Sequence, residues 1–178
     1  YGVQTARALE NFHISGVELR LYPNFIKAFA MVKLAAARAN YDCGQFSAEI
    51  LRGIEGACLE LIDGKLHDEF RLDVFQGGAG TSTNMNANEV IANLALETLG
   101  HKKGEYQFVS PNDHVNFGQS TNDVYPTAFR LALIMRLASY MDELTKLQQS
   151  FFAKAREFDK VLKMGRTHLQ DAVPMSLG

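Results

Sequence analysis

Apolar residues recur at steps of three and four along most of this chain, and that spacing predicts a protein built mainly from α-helices. One helix is expected over residues 24–40, and a second over residues 50–62, with Ser47 as its N-cap and Gly64 as its stop. A third is expected over residues 84–99. The expected buried stripe of the first helix consists of Phe25, Phe29, Val32, Ala36 and Ala39. No long run alternates apolar and polar residues, so no sheet is predicted.

The strongest periodic signal lies between residues 133 and 158, where apolar side chains are spaced almost as heptads. Its members are Leu133, Leu137, Tyr140, Leu144, Leu147, Phe151, Ala155 and Phe158. A helix from about Asn122 to Val161 would be roughly 60 Å long, more than a compact domain of this size needs. We expect it to bury its apolar side in an extended bundle, within a longer chain or between subunits.

A polar stretch from Gly100 to Gly118 separates the shorter helices from this long one and is the best candidate for a domain boundary. The fold class expected is therefore mainly α. A small helical N-terminal domain would occupy residues 1–114, and the first part of a central helical bundle would occupy residues 115–178. The chain has no initiator Met, and Pro174 is placed to open a further helix near its end, so we interpret it as an internal portion of a longer protein.

Composition excludes several classes of partner. The chain has 178 residues with a net charge of −2 and scattered Lys and Arg, so no basic surface for nucleic acid or anionic lipid is expected. No run of apolar residues is long enough to cross a membrane. Cys43 and Cys58 lack metal-binding spacing and are expected to be reduced and mostly buried, as in a cytoplasmic protein. No metal or cofactor is predicted.

Three short runs hold most of the hydroxyl and amide side chains: Gly80–Asn86, Gln119–Asp123 and Arg166–Asp171. Each interrupts or precedes a helical pattern. Because a helix start presents unpaired N–H groups and the positive end of a dipole, such runs are natural seats for carboxylates. Taken one at a time, each run also fits a plain helix cap, so the local pattern leaves both interpretations open.

Each run has features that fit a helix cap and features that fit an anion site. Residues 77–82 are glycine-rich but lack the Lys of a phosphate loop, so they are expected to deliver Thr81 and Ser82 to the start of a helix. Ser120 and Asp123 have the spacing of a capping box, which leaves Thr121 and Asn122 unexplained. His168 follows a helix expected to end near Met164 and Gly165. Beside Thr167 it could bind an anion or move a proton, although a lone loop His is more often structural.

Asn84, Asn86 and Asn88 alternate where a helix is expected, and Asn is a poor helix former. Hydrogen bonding in a crowded interior would account for them, and a solvated helix face is the alternative. The other histidines show no metal spacing and are expected to be at the surface or structural, with His114 the least certain because it adjoins the segment from Ser110 to Ser120.

These segments, in this order, resemble the fumarase and aspartase superfamily of β-eliminating lyases over essentially the whole chain. The resemblance rests on the opening Tyr1-Gly2-Val3-Gln4-Thr5, on Gly80-Thr81-Ser82, on Asn112-Asp113, on Ser120-Thr121-Asn122-Asp123 and on Gly165-Arg166-Thr167-His168. The forms Gln76 to Ser82, Gly104 to Gln107 and Leu162 to Thr167 are similar to the aspartase branch. Ser110 stands where fumarases have the His of a secondary anion site, so that site is not carried over.

The resemblance implies a homotetramer whose sites are shared between subunits and which converts L-aspartate reversibly to fumarate and ammonium without a cofactor. It assigns substrate binding to Thr81, Ser82, Ser120, Thr121, Asn122, Thr167 and His168, with His168 also a candidate catalytic residue. The family's proton-abstracting Ser lies in a later loop that this chain does not contain, so the chain alone is expected to be inactive. The alternatives are a fumarate hydratase and a non-catalytic helical assembly fragment.

Overall fold

The structure, a computed structural model, describes all residues from Tyr1 to Gly178 and is mainly helical, which confirms the expected fold class. The helices are α1 (Val3–Asn11), α2 (Pro23–Asp42), α3 (Ala48–Ile62), α4 (Thr81–Thr98) and α5 (Thr121–Glu157). Short 3₁₀ turns span Leu19–Leu21 and His67–Glu69, and a π-helical turn spans Pro111–Val115. Two strands, β1 (Leu162–Thr167) and β2 (Gln170–Ser176), follow α5.

The chain divides into two compact units, Tyr1–Met135 and Arg136–Gly178. This division lies within α5 and concerns packing alone. The domain boundary predicted between residues 114 and 115 therefore stays a prediction. No helix is both long and apolar enough to cross a bilayer.

Helices α2, α3 and α4 form the core of the first unit, where α3 packs against both of the others. The largest fully buried apolar side chains include Phe29 of α2, Ile54 of α3 and Ile91 of α4. As predicted, the Ser47 hydroxyl caps α3 by accepting the Ile50 N–H at 3.3 Å. Capping and a shared apolar face together explain why these segments are helical.

The buried face of α2 lies one position away from the stripe that the sequence predicted. Ile26, Ala30, Lys33 and Ala37 are buried with Phe25 and Phe29, whereas Ala39 is exposed. The prediction omitted Lys33 because a charged residue does not count as apolar, yet its ammonium group has polar partners inside the unit. The cysteine prediction is also wrong in part, since Cys58 is buried but Cys43, at the end of α2, is exposed.

Glu89 of α4 holds helix α1 in place. Its buried carboxylate accepts hydrogen bonds from the N–H groups of Gly2, Gln4 and Thr5 at 2.8–3.0 Å and from the Thr5 hydroxyl at 2.6 Å. These are the N–H groups that a helix start leaves without partners. A carboxylate from a distant helix thus serves as the N-cap of α1, which has no side-chain cap of its own.

The second unit consists of the C-terminal part of α5 and an antiparallel hairpin of β1 and β2. The helix ends at Glu157 rather than near Val161, the segment around Gly165 is a strand rather than a helix end, and Pro174 lies in β2. The hairpin was not predicted because neither strand alternates strictly between apolar and polar residues, and because Pro174 argues against a strand.

The near-heptad side chains of α5 are largely exposed in the structure. Leu137, Tyr140, Leu147 and Phe151 have exposed fractions of 52–68%. The periodicity correctly predicted one long helix, which has 37 residues. The partner surface expected to cover its apolar side stays a prediction.

Candidate functional site

The start of α4 is capped by a residue that lies outside the polar run Gly80–Asn86. The Gln76 side-chain oxygen accepts the Thr83 N–H at 2.7 Å, and its amide nitrogen donates to the Thr83 hydroxyl. Thr81 and Ser82 make no side-chain hydrogen bonds, and Thr81 is exposed. Plain capping, the alternative that the sequence left open, therefore does not explain their hydroxyl groups.

Gly80, the N-cap of α4, has a left-handed backbone with a φ of 89°. A Cβ atom at this position would collide with the ring of Tyr125 from α5. Only glycine satisfies both conditions without strain, because it adopts positive φ freely and has no side chain. Gly80 thus allows the start of α4 to approach α5 closely.

The start of α5 is capped in part as predicted. The Ser120 hydroxyl accepts the Asn122 N–H at 3.2 Å, but the Asp123 carboxylate makes no return bond, so the reciprocal capping box is not formed. Asn122 and Ser120 are exposed, and Thr121 is half-buried. The Thr121 oxygen accepts a hydrogen bond from the Asn84 amide of α4 at 3.2 Å. The first two polar runs are therefore brought together.

A cavity of about 400 Å³ lies between these two helix starts. It is lined by Val74, Phe75, Gln76, Gly78, Ala79, Gly80, Asn122, Tyr125 and Pro126. The volume is within the range of small-molecule sites. The glycine-rich segment and Asn122 form its polar parts, so a small polar ligand has room beside the start of α5.

A chain of amide groups connects Thr121 to a buried lysine. Asn84 donates to Asn116 as well as to Thr121, and the same Asn116 oxygen accepts from the Lys33 amine at 2.9 Å. Lys33 also donates to the Gln119 side-chain oxygen at 3.0 Å. Its partners are thus neutral amide oxygens, and burial lowers the pKa of Lys33 to about 7.

The three asparagines of α4 lie in the interior, as one of the two sequence-based interpretations expected. Asn84, Asn86 and Asn88 are at most 2% exposed. Each leaves its side-chain oxygen without a partner. Buried oxygens without partners are uncommon in folded proteins, and an ordered water or ion or a functional role can account for them. Of the three, only Asn84 makes a side-chain hydrogen bond to the second polar run, through Thr121.

The third run belongs to the second unit, where Thr167 ends β1 and His168 begins the hairpin turn. His168 and Leu169 both have positive φ, at 50° and 62°, as in a type I′ turn. Residues other than glycine rarely adopt this conformation, which commonly occurs at functional sites. Both the Thr167 and His168 side chains are exposed. Their predicted part in substrate binding stays a prediction.

Ser110 and His114 serve the turn in which they lie. The Ser110 hydroxyl accepts the Asn112 and Asp113 N–H groups and donates to the Asp113 carboxylate at 2.9 Å. The His114 ring accepts the Ser110 N–H at 2.9 Å, and burial lowers the pKa of His114. All of these contacts are local, so both side chains stabilise the π-helical turn.

The geometry of the first unit suits a small anion. Two helix starts offer partial positive charge, and the hydroxyl groups of Thr81, Ser82, Ser120 and Thr121 donate no hydrogen bonds within the protein. A carboxylate accepts hydrogen bonds from such donors. The arrangement can therefore bind a carboxylate and stabilise negative charge that develops on it.

Gln76, Tyr125 and Lys33 also contribute to this region, although none of them was predicted from the sequence. Lys33 had a usable signal, since it lies on the same helical face as Ile26, Phe29 and Ala30, where a charge is unusual. Tyr125 had none, because Gly80 and the Phe25 ring that it meets belong to distant segments. Gln76 had none either, because it lies four residues before the N-cap Gly80, outside the positions that capping motifs use.

Comparisons with known proteins show that the chain is similar to lyases. A family model described as Lyase matches residues 1–178. The chain is 58% identical over 178 residues to the aspartate ammonia-lyase of Pseudomonas canavaninivorans and 53% identical over 179 residues to that of Escherichia coli K12. These alignments cover 100% of this chain but 38% and 37% of those proteins. The chain thus spans well under half the length of the curated relatives it matches.

Two solved structures of related enzymes have a similar fold. The native form of a fumarate lyase:delta crystallin from Brucella melitensis matches with a TM-score of 0.84 and 56% identity, over 99% of this chain and 40% of that one. A class II fumarase from Schistosoma mansoni matches with a TM-score of 0.79 and 41% identity, over 99% and 37%.

Proposed function

This chain belongs to the lyase family whose model spans it, and we propose that the protein containing it is an ammonia-lyase that reversibly eliminates ammonium from L-aspartate to give fumarate. The observation that supports the proposal is that different side chains cap α4 and offer hydroxyl groups at its start. Gln76 caps the helix, while Thr81 and Ser82 keep their hydroxyl groups free beside the start of α5.

The chemistry needs such donors. Removing a proton from the carbon beside a carboxylate places extra negative charge on that carboxylate, and preorganised donors stabilise it. One donor of this kind contributes about 3 kcal/mol in comparable oxyanion sites. We propose that Thr81, Ser82, Ser120, Thr121 and Asn122 hold the substrate carboxylates and amino group, together with Thr167 and His168 of the second unit. The proton-abstracting base would come from a segment beyond this chain.

Aspartate is favoured over malate as the substrate by the pattern of similarity. Identity is 58% to a named aspartate ammonia-lyase but 41% to a named fumarase, over nearly the same residues. A fumarate hydratase is the second candidate, since its substrate is also a dicarboxylate and the same donors would serve it.

We further propose a homotetramer with sites shared between subunits, located in the cytoplasm. The exposed near-heptad side chains of α5 support assembly, because a contiguous apolar surface of this kind is typical of a protein interface. Two free cysteines suit a reducing compartment.

The test uses the complete protein that contains these residues, assayed for fumarate formation from L-aspartate and from L-malate. We expect activity on aspartate. Thr81→Val should lower kcat/KM by about 100-fold, as loss of an oxyanion donor does. Thr98→Val, the same change at the other end of α4, should leave it unaltered because the Thr98 hydroxyl only donates to Leu94 of its own helix. Activity on malate alone would favour the hydratase, and activity on neither would refute the lyase proposal.

A further inference from the structure

The Thr121 hydroxyl lies at the end of a chain of hydrogen bonds whose direction is fixed. The chain runs from the Lys33 amine to the Asn116 oxygen, and from the Asn84 amide nitrogen to the oxygens of both Asn116 and Thr121. The distances are 2.9, 3.0 and 3.2 Å, so every link is a direct contact.

The direction follows from the chemistry of Lys33. An amine of Lys33 donates to two amide oxygens, those of Asn116 and Gln119, so the Asn116 atom that faces it is an oxygen. Because that oxygen only accepts, the Asn84 atom next to it is the nitrogen. A side-chain amide nitrogen has two N–H groups, and Asn84 uses one for Asn116 and the other for Thr121.

These hydrogen bonds fix the orientation of the Thr121 hydroxyl. Its oxygen accepts from Asn84, so its own O–H cannot point towards Asn84 and makes no other hydrogen bond as a donor. A freely rotating hydroxyl would present either its hydrogen or a lone pair to a ligand. In Thr121 the hydroxyl hydrogen stays available to a ligand, and a carboxylate requires a hydrogen-bond donor of this kind.

We propose that Asn84 is a positioning residue, which directs the Thr121 hydroxyl so that it donates to a substrate carboxylate; this rests on the proposed function. Asn84 is 2% exposed, and it reaches the reaction only through Thr121. This role gives a reason for the burial of Asn, a poor helix former, near the start of α4.

The test is a double-mutant cycle on kcat/KM for L-aspartate in the complete protein, with Asn84→Ala and Thr121→Val. We expect Thr121→Val to cost about 100-fold and Asn84→Ala about tenfold, since the first removes a donor and the second only its orientation. The double variant should resemble Thr121→Val alone, because Asn84 then has no hydroxyl to direct. Equal losses from Asn84→Ala in both backgrounds would overturn the proposal.

Asn84→Asp provides a second cycle if the alanine variant does not fold. Aspartate keeps the shape but replaces the donor by an acceptor, so the Thr121 hydroxyl would turn towards it. We expect a larger loss than for alanine, and a loss that shrinks several-fold in the Thr121→Val background. A loss of the same size in both backgrounds would reflect only the added charge and would refute the proposal.

Asn88→Ala is the matched control, since Asn88 is also buried in α4 but its amide contacts only the Met85 sulfur. It should lower stability while changing kcat/KM by less than about twofold, as expected for a site with no shared partner. A parent protein without activity on L-aspartate would refute the proposed function itself. An active parent with independent effects would refute only the role of Asn84.

Discussion

Replacing Glu89 by glutamine should release helix α1. The carboxylate is 2% exposed and accepts hydrogen bonds from the N–H groups of Gly2, Gln4 and Thr5 and from the Thr5 hydroxyl. Three of these reach one oxygen, and the Gln4 N–H reaches the other. Glutamine has the same shape but presents an NH₂ group in place of one oxygen. At best, therefore, one N–H loses its acceptor and faces another donor.

The size of the effect follows from these contacts. An N–H buried without an acceptor costs about 1–3 kcal/mol. The three remaining bonds become bonds to a neutral oxygen and weaken, since bonds to a charged group are worth about twice as much. Loss of the charge also removes a desolvation cost, which offsets part of this. We expect a net decrease of about 3 kcal/mol in the free energy that holds α1 in place, a large fraction of the 5–15 kcal/mol typical of a domain.

Two measurements on the complete protein test this expectation. Hydrogen exchange of peptides covering residues 1–12 should quicken by about 100-fold for Glu89→Gln, because exchange there reports local opening. Urea unfolding at fixed protein concentration should show a smaller change if α1 detaches before the rest unfolds. Thr5→Val is the control, since it removes only the hydroxyl contact and should cost about 1 kcal/mol. Unchanged exchange in Glu89→Gln would refute the view that this carboxylate caps α1.

Three further predictions concern the site and its surroundings. Gly80→Ala should abolish activity, and it should lower the free energy of unfolding by about 2–4 kcal/mol because Gly80 has a positive φ and the new Cβ would clash with the Tyr125 ring. Gly56→Ala is the control, since its Cβ would meet nothing closer than 3.9 Å, and it should stabilise α3 by about 1 kcal/mol. Urea unfolding measures both changes. Burial lowers the pKa of Lys33 to about 7, so between that value and 10.5 the unfolded state binds the extra proton, and the free energy of unfolding should rise with pH by up to about 1.4 kcal/mol per unit. This rise should be missing in Lys33→Met, and equal slopes for the two proteins would contradict the shift. If sites are shared between subunits, mixing the impaired Thr81→Val and Thr167→Val proteins under conditions of subunit exchange should restore part of the activity. No recovery would indicate that both residues serve a site within one subunit.

The elements of this fold were predictable where periodicity and capping agreed. Helix α3 is an example, since its apolar face and the Ser47 cap are both visible in the sequence and both occur in the structure. The hairpin of β1 and β2 was not predictable in the same way, because its turn contains His168 and Leu169 at positive φ rather than the glycine or asparagine typical of such turns.

Helix α2 shows a different limit. The apolar pattern gave its extent but placed the buried face one position away, because the interior contains Lys33. A buried lysine is explained only by acceptors that lie 83 and 86 residues further along the chain. Sequence spacing along one helix carries no information about such partners.

The candidate site depends on which side chain caps each helix start. A hydroxyl at a helix start accepts an N–H of the helix when no other group does so, which leaves only its hydrogen for a ligand. When another group caps the helix, both the lone pairs and the hydrogen of the hydroxyl are free. At α5 the cap is local, since Ser120 accepts the Asn122 N–H, and the local pattern was sufficient. At α4 the cap comes from Gln76, and this leaves the Thr81 hydroxyl free. Replacing Gln76 by leucine should therefore turn Thr81 or Ser82 towards the open N–H groups of α4, and activity should fall further than the loss of one cap would predict.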